Sequence, residues 1–208
     1  MIKARHHPVK RWILDWYSRI RIHFHFRELL IQSDLNLPAD RPVVVLGNHF
    51  SWWDGLWAWV INKRAIGRVF HVMMLEDFLE KTPILTGIGA YSIKRNSRSI
   101  LESFSYTREL LTNPDHVVFL YPQGALFSQS VDEVAFKSGI QKLLDTLHQP
   151  VTVVFMAVFL DYGIHDKETV SVILHQVPET TPIRNLEEAY NTFYSDAHRK
   201  HQQVFADL

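Results

Sequence analysis

The sequence is organised by short apolar runs, each long enough for a buried strand and too short to span a bilayer. "VVVLGNH", "HVVFLYP", "VTVVFMAVFL" and "VSVILHQV" are the clearest. They are rich in Val, Ile and Phe and end in polar or turn residues, as strands covered on both faces do. Segments of helical period separate them. Residues 54–63, 97–111, 136–148 and 185–206 are the strongest, and Ser97 is placed to cap the second. Strands alternating with helices predict one α/β domain, a central, mostly parallel or mixed sheet flanked by helices. At 208 residues one domain is expected.

Further elements are weaker. A strand is expected near 69–74, a short helix near 77–81, a loop over "PILTGIGAY", and a strand end at 93–95. Residues 9–21 read as a helix behind Pro8. The next stretch, "IHFHFRELLI", alternates Ile22, Phe24 and Phe26 with His23, His25 and Arg27, a strand pattern. Residues 1–21 are therefore set apart as a basic amphipathic segment preceding a domain over 22–208.

That segment faces a membrane on this reading. Between residues 1 and 27, Lys3, Arg5, Lys10, Arg11, Arg19, Arg21 and Arg27 stand against Asp15 alone, interleaved with Trp12, Trp16, Tyr17 and Phe24. Such an end suits an anionic lipid surface. Nucleic acid would suit the charge too, but no reading motif is present. No apolar run approaches the ~20 residues of a membrane-spanning helix, and charges interrupt the N-terminus before a signal-peptide core forms. The expected placement is peripheral, on the cytoplasmic side of a membrane.

The chain has no cysteine. Disulfides, thiolate metal sites and a cysteine nucleophile are thereby excluded. The twelve histidines include no H-E-x-x-H pair, and His198 and His201 lie on a charged terminal helix where solvated surface is expected. "GIGAYS" lacks the last glycine of a dinucleotide fingerprint. Neither a metal nor a cofactor is expected.

The chemistry gathers in "GNHFSWWDG", residues 47–55. On a continuous helix, five residues turn His49 and Asp54 ~140° apart. A turn followed by a helix starting at Asp54 brings the carboxylate back to the ring. An Asp on one ring nitrogen supports the imidazolium and leaves the other nitrogen free to take a proton. No G-x-S-x-G elbow is present, and Ser51 is too near His49 in sequence to be an easy nucleophile. The simplest work for the pair is general-base activation of a hydroxyl on the substrate. Of Trp52, Trp53, Trp57 and Trp59, half are expected in the core and half along an acyl tunnel or a membrane interface.

Asn48, His49 and Asp54 meet the N-H-x4-D pattern, and "NHFSWWDG" resembles the first signature of the glycerolipid acyltransferases, the lysophosphatidic acid acyltransferase family. Gly89, Ile93 and Arg95 in "GAYSIKR" are similar to its second block. "YPQGALF", residues 121–127, resembles its third, and "FKSG", 136–139, its F-K-x-G stretch. The likeness spans roughly residues 22–160. It implies an O-acyltransferase that moves a fatty acyl group from a coenzyme A or acyl-carrier-protein thioester to a hydroxyl of a lipid-like acceptor. His49 would be the general base oriented by Asp54. Asn48, Arg95, Gln123, Gly124 and Lys137 would bind substrate, and N–H groups around Gly124 would hold the oxyanion. In the third block Gln123 replaces the family's Glu, Ala125 its Thr and Leu126 its Arg. The loss of that cation favours an acceptor without phosphate, although Arg95 and Lys137 could hold one. The same chemistry on lysophosphatidic acid in phospholipid synthesis, or a catalytically silent lipid-binding relative, are the alternatives.

Overall fold

The computed structural model describes residues 1–94, 99–147 and 150–205. The N-terminal half consists of α1 (Pro8–His25), β1 (Phe26–Ser33), β2 (Val43–Gly47), α2 (Asp54–Ile61), β3 (Val69–Leu75), α3 (Glu76–Lys81) and β4 (Ala90–Ile93). It continues through α4 (Ser99–Leu110), β5 (His116–Leu120), α5 (Ser138–Asp145), β6 (Thr152–Asp161), β7 (Glu168–Gln176) and α6 (Leu186–Phe205). The strands form one seven-stranded sheet in the order β1-β7-β6-β2-β5-β3-β4. β6, β2, β5, β3 and β4 run parallel, while β7 is antiparallel to β6 and carries β1 parallel to itself. The fold is the mixed α/β sheet that the apolar runs predict.

β2 shows why its sequence is uniformly apolar. It lies between β5 and β6, and all five of its residues are buried. Val44 and Leu46 enter a core with Phe155, Leu143 and Tyr190 on one face. Val43 and Val45 enter a second core with Trp57, Trp59 and Phe70 on the other. Helices thus cover both faces, and polar function moves to the strand ends. The carboxyl ends of β2 and β5 are neighbours, and each runs into a loop.

Four expectations change. The strand expected from Ile22 starts only at Phe26, and α1 runs on through His25. In the helix Leu14 and Ile22 face the core with the buried Ser18, while Val9, Trp12, Ile13, Trp16 and Phe24 stay exposed. The period of 3.6 overrides the local alternation. The boundary drawn at 21/22 falls inside this helix. Residues ahead of it also join the domain, with Arg5 and His7 N–H groups donating to the Thr86 and Gly87 carbonyls at 2.8 Å each. The loop over "PILTGIGAY" contains a 3-10 helix, Pro83–Ile88, and then β4. Gly89 between them has φ +116°, and a Cβ there would meet the Phe70 carbonyl oxygen at 1.9 Å. Finally, His201 is buried rather than solvated, stacked on Phe159 with ring centroids 5.1 Å apart. Burial lowers its pKa despite Asp161 nearby.

The other helices fall close to their expected spans. α5 is shorter than the stretch 136–148, starting at Ser138 and ending at Asp145. The proposed cap Ser97 and the ends of two expected helices, at His148 and Ala206, lie outside the described residues. No described helix is long and apolar enough to cross a membrane.

Candidate active site

The chain leaves β2 at Gly47 and is caught at once. The Asn48 carboxamide donates to the Val158 carbonyl and accepts from the Val158 N–H, both at 2.9 Å. This closed pair fixes the loop to β6, and Asn48 is buried. Asn48 thus positions the loop from within the protein rather than facing a ligand. The loop then folds back on the first turn of α2, whose first residue is Asp54.

One carboxylate oxygen organises the turn. Asp54 Oδ2 accepts from His49 Nδ1 at 2.6 Å, from the Phe50 N–H at 2.8 Å and from the Ser51 N–H at 3.0 Å. The backbone N–H of Asp54 donates to the Ser51 carbonyl at 3.2 Å. The carboxyl is 1% exposed and the imidazole 28%. The ring's hydrogen bond is made through Nδ1, Nε2 has no partner among the described residues, and the side chain is partly open to solvent. A buried anion behind an imidazole whose outer nitrogen has no protein partner is chemically able to take up a proton there. The Ser51 hydroxyl accepts from the Trp53 N–H at 3.1 Å, a turn contact.

The loop after β5 completes the arrangement. Gln123 is buried, and its Oε1 accepts the His49 N–H at 2.7 Å. The Phe127 N–H returns to the His49 carbonyl at 2.9 Å. The two loops are therefore joined on either side of the histidine. An amide oxygen suffices for the first contact, so Gln123 supports the backbone of the histidine. Gly124 turns the chain with φ +63°, and its N–H donates to the Tyr121 carbonyl at 3.0 Å. That N–H is engaged in the turn.

Lys137 reaches this loop from the residue preceding α5. Its N–H donates to the Pro122 carbonyl at 2.9 Å, and its Cγ lies 3.3 Å from where a Cβ of Gly124 would stand. The Lys137 ammonium has no ion pair among the described residues. Arg95 lies outside the described residues, just beyond β4. Leu126 is 56% exposed and Phe127 is exposed beside it, so the third block presents an apolar edge. Trp57 and Trp59 are buried, Trp53 is half-buried beneath the loop, and Trp52 is exposed. The two tryptophans of α2 are thus the ones in the core. Among the described residues no three His, Asp or Glu side chains are grouped to hold a metal ion.

Sequence reading missed the contributions of Val158 and Tyr121. Val158 acts through its backbone, which no residue type signals. The Tyr121 ring stacks on the imidazole, with centroids 4.6 Å apart and planes at 27°. Its hydroxyl donates to the Asp54 carbonyl at 2.6 Å. An aromatic residue at the end of a central strand, next to a proline, was the available signal.

The acyltransferase family model matches residues 28–158, well over half of the chain, from β1 into β6 and including both loops. The fold is similar to the crystal structure of 1-acyl-sn-glycerophosphate (LPA) acyltransferase, PlsC, from Thermotoga maritima. The TM-score is 0.60 at 14% sequence identity, covering 94% of this chain and 80% of that one. At that identity the likeness is one of fold. No curated protein matches the sequence significantly. With the family's first signature folded round His49 and Asp54, the chain belongs to the acyltransferase family and is an acyltransferase.

Proposed function

We propose that the enzyme transfers a fatty acyl group from a coenzyme A or acyl-carrier-protein thioester to a hydroxyl carried by a lipid. The carrying observation is the 2.6 Å bond from His49 Nδ1 to the buried Asp54, with Nε2 unpartnered among the described residues at the carboxyl end of β2. In this reading Nε2 takes the proton of the acceptor hydroxyl as its oxygen attacks the thioester carbonyl. The tetrahedral intermediate collapses, the carbon–sulfur bond breaks, and the imidazolium returns its proton to the departing thiolate. Asp54 stabilises the imidazolium between the two steps. No covalent enzyme intermediate is required. The N–H groups of Ala125 and Leu126 have no acceptor among the described residues and are the better candidates for the oxyanion. An intact, organised base with an open nitrogen supports catalysis over a silent lipid-binding role.

The acceptor in this proposal is an uncharged lipid alcohol, because Leu126 and Phe127 offer apolar contact at the edge of the site. The unpaired Lys137 favours a second reading, an anionic acceptor such as lysophosphatidic acid, the substrate named for the T. maritima protein. The outward stripe on α1, with Trp12 66% and Trp16 59% exposed, supports docking on an anionic membrane surface. A cytoplasmic-side placement belongs to the same proposal, since both donor classes are made there. The test is product analysis by mass spectrometry. Palmitoyl-CoA and palmitoyl carrier protein are each offered with 1-monooleoylglycerol and with lysophosphatidic acid. Diacylglycerol is the expected product, phosphatidic acid alone would select the second reading, and neither product would overturn both.

A further inference from the structure

Tyr121 meets the catalytic loop at three places. Its ring lies face-on beneath the His49 imidazole, centroids 4.6 Å apart at 27°. Its hydroxyl donates at 2.6 Å to the carbonyl of Asp54, the residue that holds the other side of that imidazole. On its far side the ring passes Gly47, where an added Cβ would stand 3.4 Å from Tyr121 Cε1 and 2.7 Å from the Met156 methyl. The space at the glycine that ends β2 is thus taken by the Met156 methyl, with the Tyr121 ring in van der Waals contact beside it. Burial, and then the charge of Asp54, push the phenol pKa well above 10, so the hydroxyl remains a donor and does not shuttle protons at neutral pH.

We propose that Tyr121 is a positioning residue for acyl transfer: a π-face that orients the His49 ring and stabilises it when it carries the acceptor's proton. The proposal rests on His49 being the base. A cation over an aromatic face is attracted by the ring quadrupole, more strongly where water is displaced. Here the face and Asp54 act from different sides, the carboxylate at the Nδ1 edge and the phenol across the plane. Two further titratable groups lie on the neighbouring elements. Tyr190 is buried and donates to the Met156 carbonyl at 2.8 Å, and Lys137 lies against Gly124. Leucine at 121 removes both the ring face and the hydroxyl, phenylalanine only the hydroxyl. The two variants therefore separate the stacking role from a structural hydrogen bond.

The decisive readout needs no substrate. The rate of carbethoxylation at His49 by diethylpyrocarbonate follows the neutral imidazole and is read by peptide mass spectrometry from pH 5 to 8. Losing the π-face destabilises the protonated ring, so in Tyr121→Leu the half-reactivity point moves down by about one pH unit. In Tyr121→Phe it stays at the wild-type value. Tyr121→Met, which fills the volume without a face, is run alongside and is expected to follow leucine; it keeps the comparison standing should leucine not fold. With palmitoyl-CoA and 1-monooleoylglycerol, kcat of Tyr121→Leu falls about tenfold more than that of Tyr121→Phe. An unmoved half-reactivity point in folded leucine and methionine variants overturns the proposal, as does an equal shift in phenylalanine. An active His49→Ala enzyme would instead overturn the base assignment, and the reactivity comparison would remain interpretable.

Discussion

Asparagine at position 54 would preserve the shape of the aspartate and remove its charge. All three donors in the turn converge on one oxygen, Oδ2, while Oδ1 has no partner among the described residues. The amide oxygen can take the place of Oδ2 with its NH₂ where Oδ1 was, so the turn and the imidazole orientation survive. What is lost is the attraction between carboxylate and imidazolium. For unit charges ~4 Å apart at an effective dielectric of ~20, it is about 4 kcal/mol. That corresponds to about 10³-fold in rate, and partial solvation of the 28% exposed imidazole reduces it toward about 10². Alanine at 54 instead removes the acceptor from three donors in a buried turn. A loss of about 3–5 kcal/mol is expected there, or roughly 10 °C in Tm for a chain of this size. Steady-state acyl transfer with thermal melts on both variants separates chemistry from folding. Wild-type turnover by Asp54→Asn would refute the electrostatic role.

Four further predictions follow the same logic. Trp12→Glu with Trp16→Glu should abolish co-sedimentation with phosphatidylglycerol vesicles while leaving the melt unchanged, because both side chains point out of the fold; retained binding would locate the membrane surface elsewhere. Asn48→Ala strands the Val158 N–H and carbonyl in the interior, for about 1–3 kcal/mol per unmet group. A denaturation midpoint equal to wild type would contradict that anchoring role. Gly89→Ala should fold poorly, since its Cβ falls on the Phe70 carbonyl at positive φ, and a fully stable variant would count against this backbone path. The fourth concerns pH. His71 is buried, and burial lowers its pKa from 6.5 to about 3 in the folded state. The unfolded chain therefore binds a proton that the folded one refuses, and stability falls as pH drops from about 6.5 toward about 3. The loss is about 2 kcal/mol by pH 5. Urea midpoints for His71→Phe should fall less steeply over that range, and an equal slope would refute the assignment.

The elements most legible in the sequence were those whose burial is local and uniform. β2 reads as "VVVLG" because both of its faces are covered, and the His49–Asp54 turn reads from spacing because five residues close it. Elements fixed by distant partners were harder to read. "IHFHF" alternates like a strand, but Ile22 is held by the core and Phe24 is left outside, so the helix continues. β1 pairs with β7, Phe26 opposite Glu168, and nothing near either segment specifies that pairing. Asn48 and Gln123 were legible as site positions through the family resemblance. Their work could not be read there, because their partners are backbone groups of Val158 and His49 brought close only by the sheet. The burial of His201 likewise depends on Phe159, contributed by the distant strand β6.

The central claim is that His49 removes the acceptor's proton. Its most direct test is a single-turnover measurement of acyl transfer by purified His49→Ala against wild type, using palmitoyl-CoA with 1-monooleoylglycerol and with lysophosphatidic acid. Removal of the base should slow the chemical step by on the order of 10² to 10⁴, with an unchanged melt because the imidazole lies at a strand end rather than in the core. A folded His49→Ala enzyme that transfers the acyl group at the wild-type rate to either acceptor would contradict the account.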